Sequence, residues 1–100
     1  MNGCTIDLDE KSAHKLRLLR EREGERYMYR VSAAPGCGAV RFTLALDERE
    51  ERDRLVEERG VPFLLDPFSA TVLTTPLRIR HDEETGGFFL HVAGSDSSSC

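Results

Sequence analysis

The sequence predicts an α+β domain, and three observations carry that prediction. One helix-periodic segment lies near the N-terminus, from about Glu10 to Glu23, and several short segments of period two follow it. Only one further short helix, after Asp66, interrupts those segments. Strands and helices do not alternate in the repeat that builds a doubly wound parallel sheet, so that class is not expected. A chain of 100 residues has room for one domain with one modest core, and no internal repeat is visible.

Each element has a local reason. Thr5 to Leu8 reads as a short extended entry. Asp9 reads as the N-cap of the first helix, with Leu8 and Ala13 at the two positions of a hydrophobic staple. Ala13, Leu16 and Leu19 form the expected buried stripe, flanked by Leu18, and Gly24 is the expected stop. Arg26 to Ala33 alternates, with Tyr27, Tyr29 and Val31 on one face and Arg26, Met28 and Arg30 on the other, which predicts a strand with one solvated side. Ala34 to Gly38 reads as a turn carrying Cys37. Ala39 to Leu46 is the next strand, with Val40, Phe42, Leu44 and Leu46 facing one way. The charge run Asp47 to Arg54 reads as a solvated loop.

Leu55–Glu58 and Val61–Leu65 read as two strands around a turn at Arg59-Gly60, with Pro62 suited to an edge or a strand start. Asp66 is placed to cap a short helix that has Pro67 at its first position and Ser69 at its third. Leu77–His81 and Phe88–Val92 are the last strands, joined by a loop over Asp82–Gly87. Val40, Phe42, Leu44, Phe63, Leu65, Leu73, Leu77, Ile79 and Phe88 are the candidate core. The domain is read as residues 1–92, and residues 93–100 as a flexible Ser-rich tail carrying Cys100.

Composition narrows the function. The net charge is −4, and twelve of the fourteen basic residues are arginine, with no basic stripe interleaved by aromatics. That balance argues against nucleic acid as the main partner. No run approaches the roughly 18 apolar residues of a membrane helix, and residues 1–10 show no secretory signal pattern. A cytoplasmic location without membrane contact is therefore expected. The three cysteines are an odd number, not the even framework of a disulfide-stapled secreted domain. In a reducing compartment such thiols point to metal, redox or incidental roles.

Cys37, between Gly36 and Gly38, is a thiol in a tight turn where another molecule could approach the backbone. Thiolate is the soft ligand that iron–sulfur clusters select. Cys100 is a thiol at the last residue, within reach of a metal without distorting the fold. Cys4 reads as incidental. His14 reads as a solvated helix residue, and His81 and His91 as surface histidines, although a facing pair on the last two strands would suit a metal. No Ser/His/Asp order, phosphate loop or paired-carboxylate pocket stands out, so no enzyme activity is expected.

The ordered set of segments resembles the A-type iron–sulfur cluster carriers, the HesB-like or IscA-like proteins. Ile6-Asp7-Leu8-Asp9 with Ala13 is similar to their opening strand and first helix. Val31 to Cys37 before an apolar strand is similar to the strand leading to their first ligand cysteine. Gly60-Val61, Phe63-Leu64-Leu65-Asp66, Ser69 and Leu73 resemble their glycine, strand, Asp-x-x-Ser-x-x-x-Leu segment, and Gly87-Phe88 resembles the start of their final strand. The resemblance implies short mixed strands in two small packed sheets, a distorted sandwich, with one longer N-terminal helix and one short helix.

The resemblance also implies a function. Family members hold a cluster or iron with one loop cysteine and a C-terminal Cys-x-Cys pair. Cys37 matches the loop position. The C-terminal pair is reduced to Cys100 after Ser97-Ser98-Ser99, and Val92-Ala93-Gly94 stands where the family has an Asn-Pro-Asn-like stretch. The implied function is transient binding of an iron–sulfur cluster, or of iron, in cluster assembly or delivery, with Cys37 and Cys100 as cofactor and metal ligands. Two thiols fall short of the four thiolates of a 2Fe–2S cluster, so a cluster shared between two chains, and hence a homodimer when loaded, is expected. Cluster donors and recipient apo-proteins are the other implied partners. Two readings stay open beside it: a structural or interaction module of the same fold that no longer binds a cluster, and a thiol redox protein using Cys37 and Cys100.

Overall fold

The computed structural model describes residues 6–35, 40–73 and 75–92. In chain order the elements are β1 (Ile6–Leu8), α1 (Glu10–Glu23), β2 (Tyr27–Pro35), β3 (Val40–Glu48), β4 (Arg54–Glu58), β5 (Val61–Leu65), α2 (Pro67–Val72), β6 (Leu77–His81) and β7 (Phe88–Val92). The strands form two mixed sheets of order β1-β6-β7 and β3-β2-β5-β4. β1 pairs parallel with β6, and β2 pairs parallel with β5; the β2–β3, β4–β5 and β6–β7 pairs are antiparallel. This is the expected α+β architecture of two small mixed sheets, one long helix and one short helix.

Helix α1 begins and ends where local chemistry dictates. Asp9 is extended, and its carboxylate Oδ1 accepts the Ser12 N–H at 2.9 Å. Gly24 closes the helix at φ +122°, a conformation that residues with a side chain rarely adopt, and its N–H donates to the Arg20 carbonyl. The buried Ser12 hydroxyl accepts the His81 N–H at 2.9 Å, tying α1 to β6. The β4–β5 turn takes positive φ at both central residues, Arg59 at +51° and Gly60 at +79°, the geometry that matches strand twist in two-residue hairpins. The Arg59 Nε donates to the Leu8 carbonyl at 2.6 Å, so this turn is held against the start of the fold.

Ile6 and Leu8 of β1, Ala13 and Leu16 of α1, Tyr29 and Val31 of β2, Val61, Phe63 and Leu65 of β5, and Leu77 and Ile79 of β6 meet in one core, closed by Leu73 after α2. Phe42, Leu44 and Leu46 of β3 and Phe88, Leu90 and Val92 of β7 are half-buried against it. These are alternate residues, as the period of two requires. Of the expected core, the side chain of Val40 lies outside the described residues.

Four expectations are corrected. Leu19 is 39% exposed, because Ser12, Ala13 and Leu16 supply the buried face of α1. The strand before the cysteine loop continues through Ala34 and Pro35, since its ladder with β3 runs on to the pair Pro35↔Val40. The charge run is only partly a solvated loop: Asp47 and Glu48 belong to β3, and Asp53 is buried. His81 is half-buried on the inward side of β6 rather than on the surface. Pro62 does sit at a strand start: it precedes Tyr29↔Phe63, the first β2–β5 pair, so its missing N–H interrupts no bond in that ladder.

Candidate functional site

The three cysteines, Cys4, Cys37 and Cys100, lie outside the described residues, as does the Ser-rich tail expected at residues 93–100. The scaffold that flanks the Cys37 loop is described. The β2–β3 hairpin is registered continuously from Tyr27↔Glu48 to Pro35↔Val40, and residues 36–39 fall between the two strands in sequence. The two strands are therefore paired as far as residues 35 and 40.

Helix α2 braces one of them. Asp66 is extended and its Oδ1 accepts the Ser69 N–H at 2.7 Å, while Pro67 opens the helix, where a missing N–H costs nothing. Ser69 is fully buried, and its hydroxyl oxygen accepts the Ala33 N–H at 3.0 Å. The Asp66-x-x-Ser69 pattern predicted the cap; nothing local in the sequence signals the bond to Ala33, 36 residues away.

The opposite end of β2 is fastened by charge. Arg30 donates Nη1 and Nη2 to the two carboxylate oxygens of Asp53, both at 2.6 Å, and Nε to Asp47 at 2.8 Å. The Asp53 side chain is 2% exposed, so this bidentate pair is shielded from water and joins β2 to the lead-in of β4. Its hydrogen bonds from Arg30 hold the Asp53 carboxyl below the usual aspartate value, and the Asp47 carboxyl is lowered by the same guanidinium. The Arg30 guanidinium is in turn driven further toward its charged form, chiefly by Asp53. Tyr29 is buried and donates its hydroxyl to the Leu16 carbonyl at 2.8 Å; burial pushes its phenol up to about 12.

The histidines do not form a pair. In the β6–β7 register His81 faces Phe88 while His91 faces Arg78, so the two rings point to opposite faces of the sheet. The His81 ring meets Phe88 edge-on at 5.2 Å, and its Nδ1 is buried without a hydrogen-bond partner among the described residues. His14 is exposed, as expected. No group of three or more His, Cys, Asp or Glu side chains suited to a metal ion occurs among the described residues. No described helix is long and apolar enough to cross a membrane.

A cleft of about 650 Å³ opens between β3 and the β6–β7 hairpin, lined mainly by Leu19, Tyr29, Phe42, Leu44, Leu46, Phe88 and Leu90. Phe89 at its rim is 62% exposed. This cleft explains the exposure of Leu19, and sequence periodicity alone did not reveal it.

Over 67 residues, 65% of its length, the chain is 36% identical to the iron–sulfur cluster insertion protein ErpA of Alkalilimnicola ehrlichii. Three solved structures share the fold across nearly the whole chain. Escherichia coli SufA, involved in biosynthesis of iron–sulfur clusters, superposes with a TM-score of 0.70 at 15% identity, covering 95% of this chain and 86% of its own. IscA with a 2Fe–2S cluster gives 0.63 at 22% identity, covering 95% and 88%. The chain has the fold of SufA and IscA. A protein from Aquifex aeolicus, solved by solution NMR, superposes on this chain with a TM-score of 0.61 at 25% identity, covering 91% and 94%. The match to ErpA spans 55% of that relative's length. No family model matches the chain.

Proposed function

We propose that this HesB-like chain carries an iron–sulfur cluster, or iron, as transient cargo in cluster assembly or delivery. The observation that carries this reading is the 36% identity to an iron–sulfur cluster insertion protein. Cys37, which matches the loop ligand position of the proteins this chain resembles, is the main thiolate ligand, and Cys100 is a second one. A thiolate is soft, polarizable and exchangeable, which suits a ligand that must both bind and release iron. A 2Fe–2S cluster takes four thiolates, so two chains contributing Cys37 and Cys100 each would complete it, and the loaded form is a homodimer. Cluster donors and recipient apo-proteins are the partners, the location is cytoplasmic, and the chain performs no catalysis of its own.

Anaerobic reconstitution with iron and sulfide, followed by absorption spectra, iron and sulfide counts per chain and sedimentation, tests the proposal. Wild type is expected to load with a shift to dimer mass. Cys37→Ser abolishes loading. Cys100→Ser loads but loses the cluster faster, because a second, replaceable thiolate contributes mainly effective concentration. Cys4→Ser behaves as wild type. Loading of wild type no higher than that of Cys37→Ser defeats the carrier reading. The specific observation favouring the alternative, a non-binding interaction module, is that Val92-Ala93-Gly94 stands where the proteins it resembles have an Asn-Pro-Asn-like stretch.

A further inference from the structure

We propose that the cleft between β3 and β7 is a docking site for an extended peptide segment of another protein, with alternating apolar residues and a basic end. The segment adds as a strand to the free edges that wall the cleft. The two sheets, β1-β6-β7 and β3-β2-β5-β4, approach edge to edge on both sides of the core. Where β1 lies against β4, the seam is bridged: Arg59 Nε donates to the Leu8 carbonyl, and Arg17 Nη1 donates to the Arg59 carbonyl. Where β3 lies against β7, no hydrogen bond crosses among the described residues, and the seam opens into the cleft of about 650 Å³.

An edge strand leaves half of its N–H and C=O groups without a ladder partner, and proteins commonly blunt such an edge with charge, proline or a bulge. β3 carries none of these over Phe42-Thr43-Leu44-Ala45-Leu46, nor does β7 over Phe88-Phe89-Leu90. Phe42, Leu44 and Leu46 on one wall and Phe88 and Leu90 on the other repeat every second residue, the period of an extended chain. Glu23, the last residue of α1, also lines the cleft and makes no ion pair among the described residues. The nearby Arg20 donates instead to the carbonyls of Tyr27 and Glu25. After burial, and against the pull of Arg20, the Glu23 charge helps to push the Tyr29 phenol up, so it is felt inside the cleft. A free carboxylate beside apolar walls complements a segment that ends in a basic residue. A second copy fits less well: a two-fold contact sets the same patch against itself, concave to concave, and leaves both clefts unfilled. The net charge of −4 opposes both self-association and an anionic membrane. A small apolar molecule would leave the strand edges unpaired. The docking site does not depend on the carrier reading above.

The probe is a fluorescein-labelled nonapeptide of alternating valine and threonine between terminal lysines, titrated by anisotropy into the metal-free full chain. Wild type is expected to bind it saturably, one peptide per chain, with slowed amide exchange in β3 and β7. Glu23→Lys is expected to weaken binding about threefold, the worth of one exposed ion pair, and to prefer a peptide with glutamate in place of both lysines. Leu44→Ser, on the cleft wall, is expected to weaken binding about tenfold through lost apolar burial. Methylating the peptide nitrogens of either the valines or the threonines keeps every side chain but removes strand donors, and at least one of the two sets is expected to abolish binding. The inference is wrong if wild type binds no peptide, or if Glu23→Lys does not reverse the preference between the two peptides. Binding that survives both methylations overturns strand addition and leaves an apolar pocket. Metal-free protein that sediments as a dimer, and as a monomer after Leu44→Ser, assigns the cleft to a second copy. Flotation with phosphatidylserine vesicles in place of peptide binding assigns it to a membrane. Should Leu44→Ser fail to fold, Glu23→Lys at an exposed position decides with the methylated peptides. Cluster loading enters none of these readouts, so a chain that loads nothing defeats the carrier reading alone.

Discussion

Removing the hydroxyl of Tyr29 separates two contributions of one buried group. In the fold the phenol donates to the Leu16 carbonyl and is raised from 10.0 to about 12 by burial. Tyr29→Phe deletes the hydrogen bond and is expected to cost about 1 kcal/mol at pH 8. The same change deletes an alkaline liability. A group whose pKa is raised on folding contributes fully below its unfolded value, and that contribution is lost as pH rises toward the folded value, because the unfolded chain ionises first. Between 10 and 12 the wild type therefore loses stability that the phenylalanine variant keeps. At pH 11 the difference in proton binding amounts to about 1.4 kcal/mol, one tenfold step. That offsets the lost hydrogen bond, and the two proteins should have closely similar stabilities there. Urea unfolding at pH 8, 10 and 11 measures it, with Tyr27 and both lysines common to the pair and cancelling in the difference. Stabilities that stay parallel from pH 8 to 11 would show that Tyr29 is not held neutral by burial, and the reasoning fails.

Two further outcomes follow from the packing and the buried ion pair. Asp53→Asn should destabilise by about 3 kcal/mol, since it leaves the Arg30 guanidinium with only Asp47 as a carboxylate partner. Because the Asp53 carboxyl is held below its usual value near 3.8, the wild-type advantage should be present above that value and shrink as acid takes the pH below it; urea midpoints at pH 7 and pH 3 check this. Phe63→Ala, at a fully buried site, should cost about 3–5 kcal/mol, whereas Phe42→Ala, at a half-buried one facing the cleft, should cost roughly half that; equal losses in urea unfolding would contradict the assigned burial.

What the sequence determined by itself is whatever is decided within a few residues. Helix α1 runs from Glu10 to Glu23 as expected because its limits are set by Asp9 reaching Ser12 and by Gly24 turning to φ +122°, both contacts within one helical turn. Asp66 and Pro67 open α2, and Arg59-Gly60 turns the β4–β5 hairpin, for the same local reason. Cys37 stood out through its flanking glycines and a family resemblance. Features that depend on long loops closing were decided only by the tertiary structure. The parallel pairing of β1 with β6 joins residues 71 apart, and periodicity carries no information about which strand meets which. Asp53 sits in a charge run that reads as solvated, yet it is buried because Arg30 arrives from another strand with a matching fork. Leu19 follows the helical stripe but faces a cleft, since the packed sheets leave it uncovered. Ser69 reads as an ordinary residue of a capped helix; only the early end of β5 turns its hydroxyl into the partner of Ala33. Caps and turns are satisfied by neighbours in the chain, whereas a buried polar group takes whichever partner the packing of distant elements brings to it.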